Sequence, residues 1–316
     1  MKSSSTTTAE AIDWLKGSKM GYTYFDKLKI FLCILNVILA FFILVTILGG
    51  NDQKATKFLL KKPKVAHCIP IKNTQIVLDG LRFQIPAEFD YLIYVKSDWE
   101  RKERDFVSNL TMTNGDFIID VGANIGHYTN LLAKKYPNNQ VYSIEASSEN
   151  FQYLQINCKL NGLEKDNNVI LYNKAISNTD GQTIDFFERG TWSTINKQIL
   201  KDWLVSDKYI KKYKVQTITL DSLINQENLQ RIALLKIDIE NHEEKALLGA
   251  YGSLKSKKIQ NLVIEYHTHS GKNKILQMLD AFGYLCSIDE RPIMFENGDY
   301  ANGHIFAVLR SHLDNS

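Results

Sequence analysis

The 316-residue chain has only four cysteines, Cys33, Cys68, Cys158 and Cys286, and no Cys-x-x-Cys pair. Neither a disulfide framework nor a zinc ribbon is indicated. Charge of one sign is also scarce: 38 basic against 35 acidic residues leave a formal charge of +3. No basic stripe is interleaved with aromatics, so nucleic acid is not an expected partner. There is no P-loop Gly-Lys-Ser/Thr and no Gly-x-Gly-x-x-Gly, which weakens the triphosphate and dinucleotide readings. Internal repeats and long low-complexity tracts are missing too.

What remains is a globular composition, 44% hydrophobic and 23% charged, of a length that predicts one large domain with an appendage. The appendage is legible at Ile30–Leu48, "IFLCILNVILAFFILVTIL", an uncharged run in which Asn36 is the only strongly polar residue. At about 1.5 Å per residue the run is roughly 28 Å long, close to the thickness of a bilayer core. A signal peptide would be shorter and would end in a small-residue cleavage site, which Leu48-Gly-Gly-Asn does not supply. The expectation is one transmembrane helix, residues 28–48, a single-pass membrane localisation, and a lipid bilayer as partner through residues 30–48. Lys16, Lys19, Lys27 and Lys29 flanking the span on one side and Lys54, Lys57, Lys61, Lys62 and Lys64 on the other give the positive-inside comparison no sign. Residues 1–27 read as a polar tail, and residues 49–75 as a lysine-rich stem.

From residue 76 to 316 the pattern is that of a folded domain, with a hairpin and helix over 76–113 and a core over 114–316. "TQIVLDGLRFQIP" reads as a hairpin turning at Asp79-Gly80, and "SDWERKERDFVSNL" as a helix whose charged run 101–105 is a solvated face. "DFIIDV", "QVYSIEA", "NVILYNKAI", "IALLKIDI" and "NLVIEYH" read as buried strands. "YTNLLAKKY", "SENFQYLQINCKLNG" (capped by Ser148), "HEEKALLGAYGSL" and "NKILQMLDAFG" read as helices. "GQTIDFFE" reads as a strand of an inserted hairpin. Residues 190–213, which include "GTWSTI", fit no element, and a loop over the substrate is one reading of them. Alternating strands and helices predict an α/β fold with a mostly parallel sheet. "YLCSID" and "HIFAVLR", with no helix between them, predict an antiparallel hairpin at its edge.

"FIIDVGANIGHYT", residues 117–129, sits where a strand meets a helix. In such sheets ligands bind beyond the carboxyl ends of the strands. Gly122 allows a sharp turn and Gly126 a close approach of ligand to backbone. The helix start beyond offers free N–H groups. Glu145 ends the next strand, 25 positions after Asp120, where an acid can grip a ribose diol. The pattern points to an adenosine-type ligand.

These stretches, with "NKAISNTDGQ", "LLKIDIENHEEKALLGA" and "LVIEYH" in the same order, resemble the FkbM family of S-adenosylmethionine-dependent methyltransferases over about residues 98–310. The resemblance implies a Rossmann-like methyltransferase fold with a seven-stranded sheet, and S-adenosylmethionine as cofactor. Asp120, Gly122, Asn124 and Gly126 would form the cofactor loop, Glu145 would hold the ribose hydroxyls, and Ala175 and Ile176 would lie beside the adenine. Two positions depart from the family pattern: Ala146 follows Glu145 in place of proline, and Asn241 replaces a glycine after the fourth strand.

Methyl transfer from a sulfonium asks the protein mainly for orientation, and a hydroxyl acceptor also needs a general base. "KIDIENHE" offers Asp238, Glu240, His242 and Glu243; "IEYHTH" offers Glu265, His267 and His269. Asp238 is favoured as an organiser near the methyl group and His267 as the base, with Glu240, Glu243 and Glu265 as further candidates. Glu100 is a further residue that could face the cofactor. Asp238, Glu240 and a histidine are also possible metal ligands, but no fixed ligand spacing is present and no metal is assigned. The expected activity is O-methylation of a small-molecule or glycan acceptor by a membrane-anchored enzyme. The alternatives are a single-pass glycosyltransferase with Asp238 and Glu240 on a divalent metal, a nicotinamide oxidoreductase, and a tethered binding module without turnover.

Overall fold

The structure is a computed structural model that describes residues 74–86, 100–163, 168–189, 192–194, 210–291 and 300–310. The expected tail, span and stem lie outside these residues. Among the described residues no helix is long and apolar enough to cross a membrane.

Strands β1 (Thr74–Leu78) and β2 (Leu81–Ile85) form an antiparallel hairpin. Its turn places Asp79 at φ 50° and Gly80 at φ 77°, the pair of positive dihedrals that a two-residue hairpin requires. Helix α1 (Arg101–Ser108) follows. The core then alternates through β3 (Phe117–Val121), α2 (His127–Lys135), β4 (Gln140–Ile144), α3 (Ser148–Leu160) and β5 (Val169–Tyr172). An excursion of four strands comes next: β6 (Ala175–Ile176), β7 (Thr183–Arg189), β8 (Trp192–Thr194) and β9 (Lys211–Ile218). The chain returns through α4 (Leu220–Gln226), β10 (Ile232–Ile237), α5 (Glu243–Leu248), α6 (Tyr251–Lys255), β11 (Asn261–Thr268) and α7 (His269–Ala281). It ends on β12 (Tyr284–Glu290) and β13 (Tyr300–Leu309).

The main sheet has seven strands in the order β12-β13-β11-β10-β3-β4-β5, and the excursion forms a second sheet ordered β6-β9-β7-β8. Strands β11, β10, β3, β4 and β5 run parallel, while β13 pairs antiparallel with both β11 and β12. Strand β10 is buried along its whole length, Lys236 included, because it lies at the centre with helices on both sides. Alternate residues feed two layers: Ile119, Leu235 and Ile264 pack toward α4, α5 and α7, and Ile118, Leu234 and Val263 toward α1, α2 and α3. Strand order reverses between β3 and β10, and the crevice of an open α/β sheet lies at that switch point.

Four local expectations are corrected. "NVILYNKAI" is two strands, β5 and β6, in different sheets. The helix expected over "HEEKALLGAYGSL" breaks at Gly249-Ala250, where only glycine fits, since a Cβ at Gly249 would lie 2.2 Å from the Ser177 carbonyl oxygen. The cap of α3 is Ser147, whose side chain accepts from the Asn150 amide, and not Ser148. Within 190–213 the structure describes β8 and the start of β9; the rest of "GTWSTI" lies outside the described residues.

Candidate active site

The turn after β3 is tight for a reason internal to the fold. Gly122 has φ 79°, and a Cβ there would lie 1.8 Å from the backbone oxygen of Asp238. The turn therefore abuts the end of β10 with no room for a side chain. Its amides are tied to β4, since Gly122 and Ala123 both donate to the Ile144 carbonyl. Asn124 follows at φ 52°, a conformation that Asn tolerates better than most residues. Gly126, φ 92°, begins α2, and a Cβ there would meet Leu154 of α3 at 2.5 Å. Its lack of a side chain also makes room for Leu154, a packing reason beside the close approach of a ligand that the sequence suggested. Asp120 is buried beneath the turn, with Oδ2 accepting from Thr129 Oγ1 at 2.8 Å. Its Oδ1 has no hydrogen-bond partner, and burial pushes its pKa up.

Glu145 stands at the tip of β4 facing this turn. Its carboxylate accepts from the Asn124 amide at 2.8 Å and the Ser147 amide at 2.7 Å. Burial pushes the Glu145 pKa up, the two amides pull it part of the way back, and it settles at about 7. The second sheet is fastened to the same spot: Ser147 Oγ donates to Glu188 Oε2 at 2.6 Å, and Tyr213 donates to the same oxygen. At its other end Thr194 donates to the Glu240 carbonyl at 3.1 Å. The excursion thus spans from the tip of β4 to the tip of β10. Ala175 and Ile176 are both buried; Ala175 packs with Phe186 and Val215, with Ala146 against them, and Ile176 joins the main core.

Across the switch point the tips of β10 and β11 carry a dense charged cluster. Asp238, Glu240 and His267 converge, with one ligand atom from each lying within 4.8 Å of the others. His267 Nε2 is 3.1 Å from Glu240 Oε2, and Nδ1 is 3.3 Å from Glu243 Oε1, ion-pair distances without hydrogen-bond alignment. Burial pulls the His267 pKa down, but these two carboxylates outweigh it and hold the ring well above its ordinary value. A ring flanked in this way is a counter-charge rather than a free base. Glu243 also accepts from the Ile239 and Asn241 amides, so it braces the turn that carries Glu240. Asn241 sits at φ 71°, the conformation for which a glycine would be suited and which asparagine tolerates. Glu265 pairs with Arg291 at 3.2 Å, and burial and Asp238 push its pKa well up. His242, a lesser candidate, is buried elsewhere against Ser177, at 3.1 Å.

Five residues complete the cluster without having been singled out. Lys236 is buried, 3.4 Å from Asp238, 3.8 Å from Glu103 and 4.8 Å from the centre of the Tyr128 ring. His304 pairs with Glu103 at 2.8 Å, and Arg291 reaches Glu100 at 3.9 Å. Tyr128 donates to Glu100 at 3.1 Å. Glu103 is 1% exposed, so the 101–105 run is not uniformly a solvated face: one carboxylate of α1 points inward because Lys236 and His304 compensate it. Lys236 had a sequence signal, a lysine inside an otherwise apolar strand; Glu103, His304 and Arg291 had none.

A turn pinned against β10, an acid on β4 and a charged cluster on β10 and β11, all at the switch point of this seven-stranded sheet, define a Rossmann-like methyltransferase. The Methyltransferase FkbM domain matches residues 120–286, just over half of the chain. The chain belongs to the FkbM methyltransferase family. No curated protein matches the sequence. Among solved structures it is similar to the FkbM methyltransferase of Methylobacillus flagellatus KT, at 16% identity over 86% of this chain and 59% of that one, TM-score 0.41. It is also similar to M. jannaschii TYW2 in complex with AdoMet, at 17% identity over 74% and 84%, TM-score 0.38. The METTL16 methyltransferase domain is similar at 14% identity over 73% and 74%, TM-score 0.42. The assignment rests on the family match and not on these distant likenesses.

Proposed function

We propose that this chain is a membrane-anchored, S-adenosylmethionine-dependent O-methyltransferase acting on a hydroxyl of a glycan, glycolipid or other small molecule. The observation that carries the reading is the joining of two sites by one contact: the Gly122 turn lies directly against Asp238. A ligand seated on the turn therefore ends beside the carboxylate cluster. The cofactor supplies a methyl group already activated on a sulfonium. Glu145 would hold the ribose hydroxyls, and the Asn124 backbone fixes the height of its carboxylate. Asp238, beside the buried Lys236, would orient the reacting end. His267 takes the role of counter-charge to Glu240 and Glu243. The uncharged run 30–48 supports the anchor, and the family supports the reaction class. An acceptor bearing hydroxyls suits a cluster rich in hydrogen-bond acceptors.

The test is calorimetric titration of the full chain in detergent with S-adenosylmethionine, and with a nicotinamide dinucleotide and a sugar nucleotide as controls. The expected result is binding of S-adenosylmethionine alone, weakened about 10- to 100-fold by Glu145→Gln, the loss of a charged hydrogen-bond acceptor. Folded protein that ignores S-adenosylmethionine but binds a sugar nucleotide with manganese would overturn the reading.

A further inference from the structure

We infer that Asp238, Glu240 and His267 form a binding site for one divalent cation of the magnesium or manganese class. The inference deepens the proposed function and rests on it for its purpose, but not for its geometry.

The donors come from two neighbouring strand tips. One oxygen from Asp238, one from Glu240 and a ring nitrogen of His267 lie within 4.8 Å of one another. Ligands around one octahedral ion at about 2.1 Å are separated by about 3 to 4.3 Å, so the three atoms need only a small closing movement. Two carboxylates to one imidazole is an oxygen-rich set, which favours magnesium or manganese over the zinc expected of sulfur and nitrogen donors.

Two independent observations separate this cluster from an ordinary group of acids. Glu240 Oε2 is a fully buried atom with no hydrogen-bond partner. His267 is 5% exposed, and its Nε2 points at that Glu240 oxygen. The second observation is what stands behind the ring. Glu243 Oε1 lies 3.3 Å from Nδ1 and is itself held by the Ile239 and Asn241 amides. A carboxylate behind the far nitrogen of a histidine is the arrangement that orients an imidazole for a metal. Glu243 is then a positioning residue. Glu265 is left out of the ligand set because Arg291 already holds it.

The site also answers a need of the chemistry. An acceptor hydroxyl must shed a proton; with the cation in place of the Nε2 proton and Nδ1 facing Glu243, His267 has no nitrogen free to take it. A cation bound to Asp238 and Glu240 would draw the hydroxyl oxygen into its remaining coordination positions and acidify it. The oxygen then gives its proton to water, and Asp238 has placed it at the end of the cofactor turn.

The experiment is electron paramagnetic resonance of manganese titrated into the full-length chain in detergent, with S-adenosylmethionine affinity measured on the same preparation. The expected result is one manganese per chain, loss of the free-ion signal, and a nitrogen coupling from a directly bound imidazole. Glu243→Gln should weaken binding about 10- to 100-fold, and Glu240→Gln at least as much. Manganese that stays free beside protein that binds S-adenosylmethionine overturns the cation site and leaves the proposed function standing. Bound manganese with the nitrogen coupling, in protein that ignores S-adenosylmethionine, keeps the site and removes the reaction assigned to it. Bound manganese without nitrogen coupling, or unchanged in folded Glu240→Gln, places the ion elsewhere and overturns the inference. The coupling is read on the unsubstituted chain, so a variant that fails to fold does not affect the decision.

Discussion

The two sides of the switch point are built on opposite principles. On the β3–β4 side, Glu145 receives a backbone N–H on each oxygen, and the Gly122 and Ala123 amides tie the turn to the Ile144 carbonyl. On the β10–β11 side, Glu100, Glu103, Asp238, Glu240, Glu243 and Glu265 face Lys236, Arg291, His267 and His304. Six carboxyls face four basic groups, and burial pushes the Glu100, Glu240 and Glu265 pKa values up, so the charge of this side is set by its own coupling. A side made of backbone donors grips a polar ligand in a fixed pose. A side of coupled buried charges responds when charge changes nearby, and the inferred cation would be such a change. The proposed division between holding and reacting matches how each side is compensated.

The strongest way to break this comparison is to remove the buried cation of the charged side. Lys236→Met should cost about 3–5 kcal/mol, since it leaves the buried Glu103 and the half-buried Asp238 beside an apolar stem. The urea midpoint reads this, and a cost under about 1 kcal/mol would mean that the cluster is far better hydrated than its burial implies. On the other side the equivalent blow is steric. Gly122→Ala must accept a positive φ and a backbone oxygen at 1.8 Å, whereas Gly181→Ala accepts φ 68° with nothing within 4 Å. The left-handed conformation alone costs about 1–2 kcal/mol, so Gly181→Ala should lose that much and Gly122→Ala about 3 or more. Equal losses would show that the turn can move away from β10.

Glu145 sharpens the comparison through pH. Its folded pKa, about 7, lies above the ordinary value of 4.5. The unliganded fold therefore favours the protonated form, and the stability this contributes is present below about pH 4.5 and lost as pH rises through 7. Ribose hydroxyls need the carboxylate, so S-adenosylmethionine affinity should run the other way. It should fall up to about tenfold per pH unit below 7 and level off above 8. Calorimetry across pH 5.5–8.5 would show this slope in the native chain and none in Glu145→Gln; a native profile equally flat would remove Glu145 from the ligand contacts.

How much of this was legible in the sequence follows from where each residue comes from. The turn, Glu145, Asp238, Glu240 and His267 lie at the ends of apolar strands, so a short motif and its strand place them together. Glu103 and His304 meet through α1 and β13, about 200 positions apart, and only the register of β13 against β11 decides that contact. Lys236 was visible as a charge inside "IALLKI", yet its meaning depends on those distant partners. Gly126 adds a constraint that its motif does not show: the side chain that a Cβ there would meet, Leu154, belongs to a helix one crossover away.

The smallest effect concerns the one residue that departs from the family pattern inside the charged side. Asn241 holds φ 71° between Glu240, itself at φ 53°, and the helix that begins at Glu243. If asparagine stands there because it tolerates the left-handed region, Asn241→Gly should change stability by no more than about 0.5 kcal/mol, relief of strain being offset by a freer unfolded chain. Asn241→Ala should lose about 1 kcal/mol, because alanine has neither the glycine's freedom nor the amide's local hydrogen bonds. Urea denaturation of the pair separates the cases. Alanine as stable as asparagine would mean that the backbone there can relax, and that Glu240 is carried on a softer turn than the Glu243 brace implies.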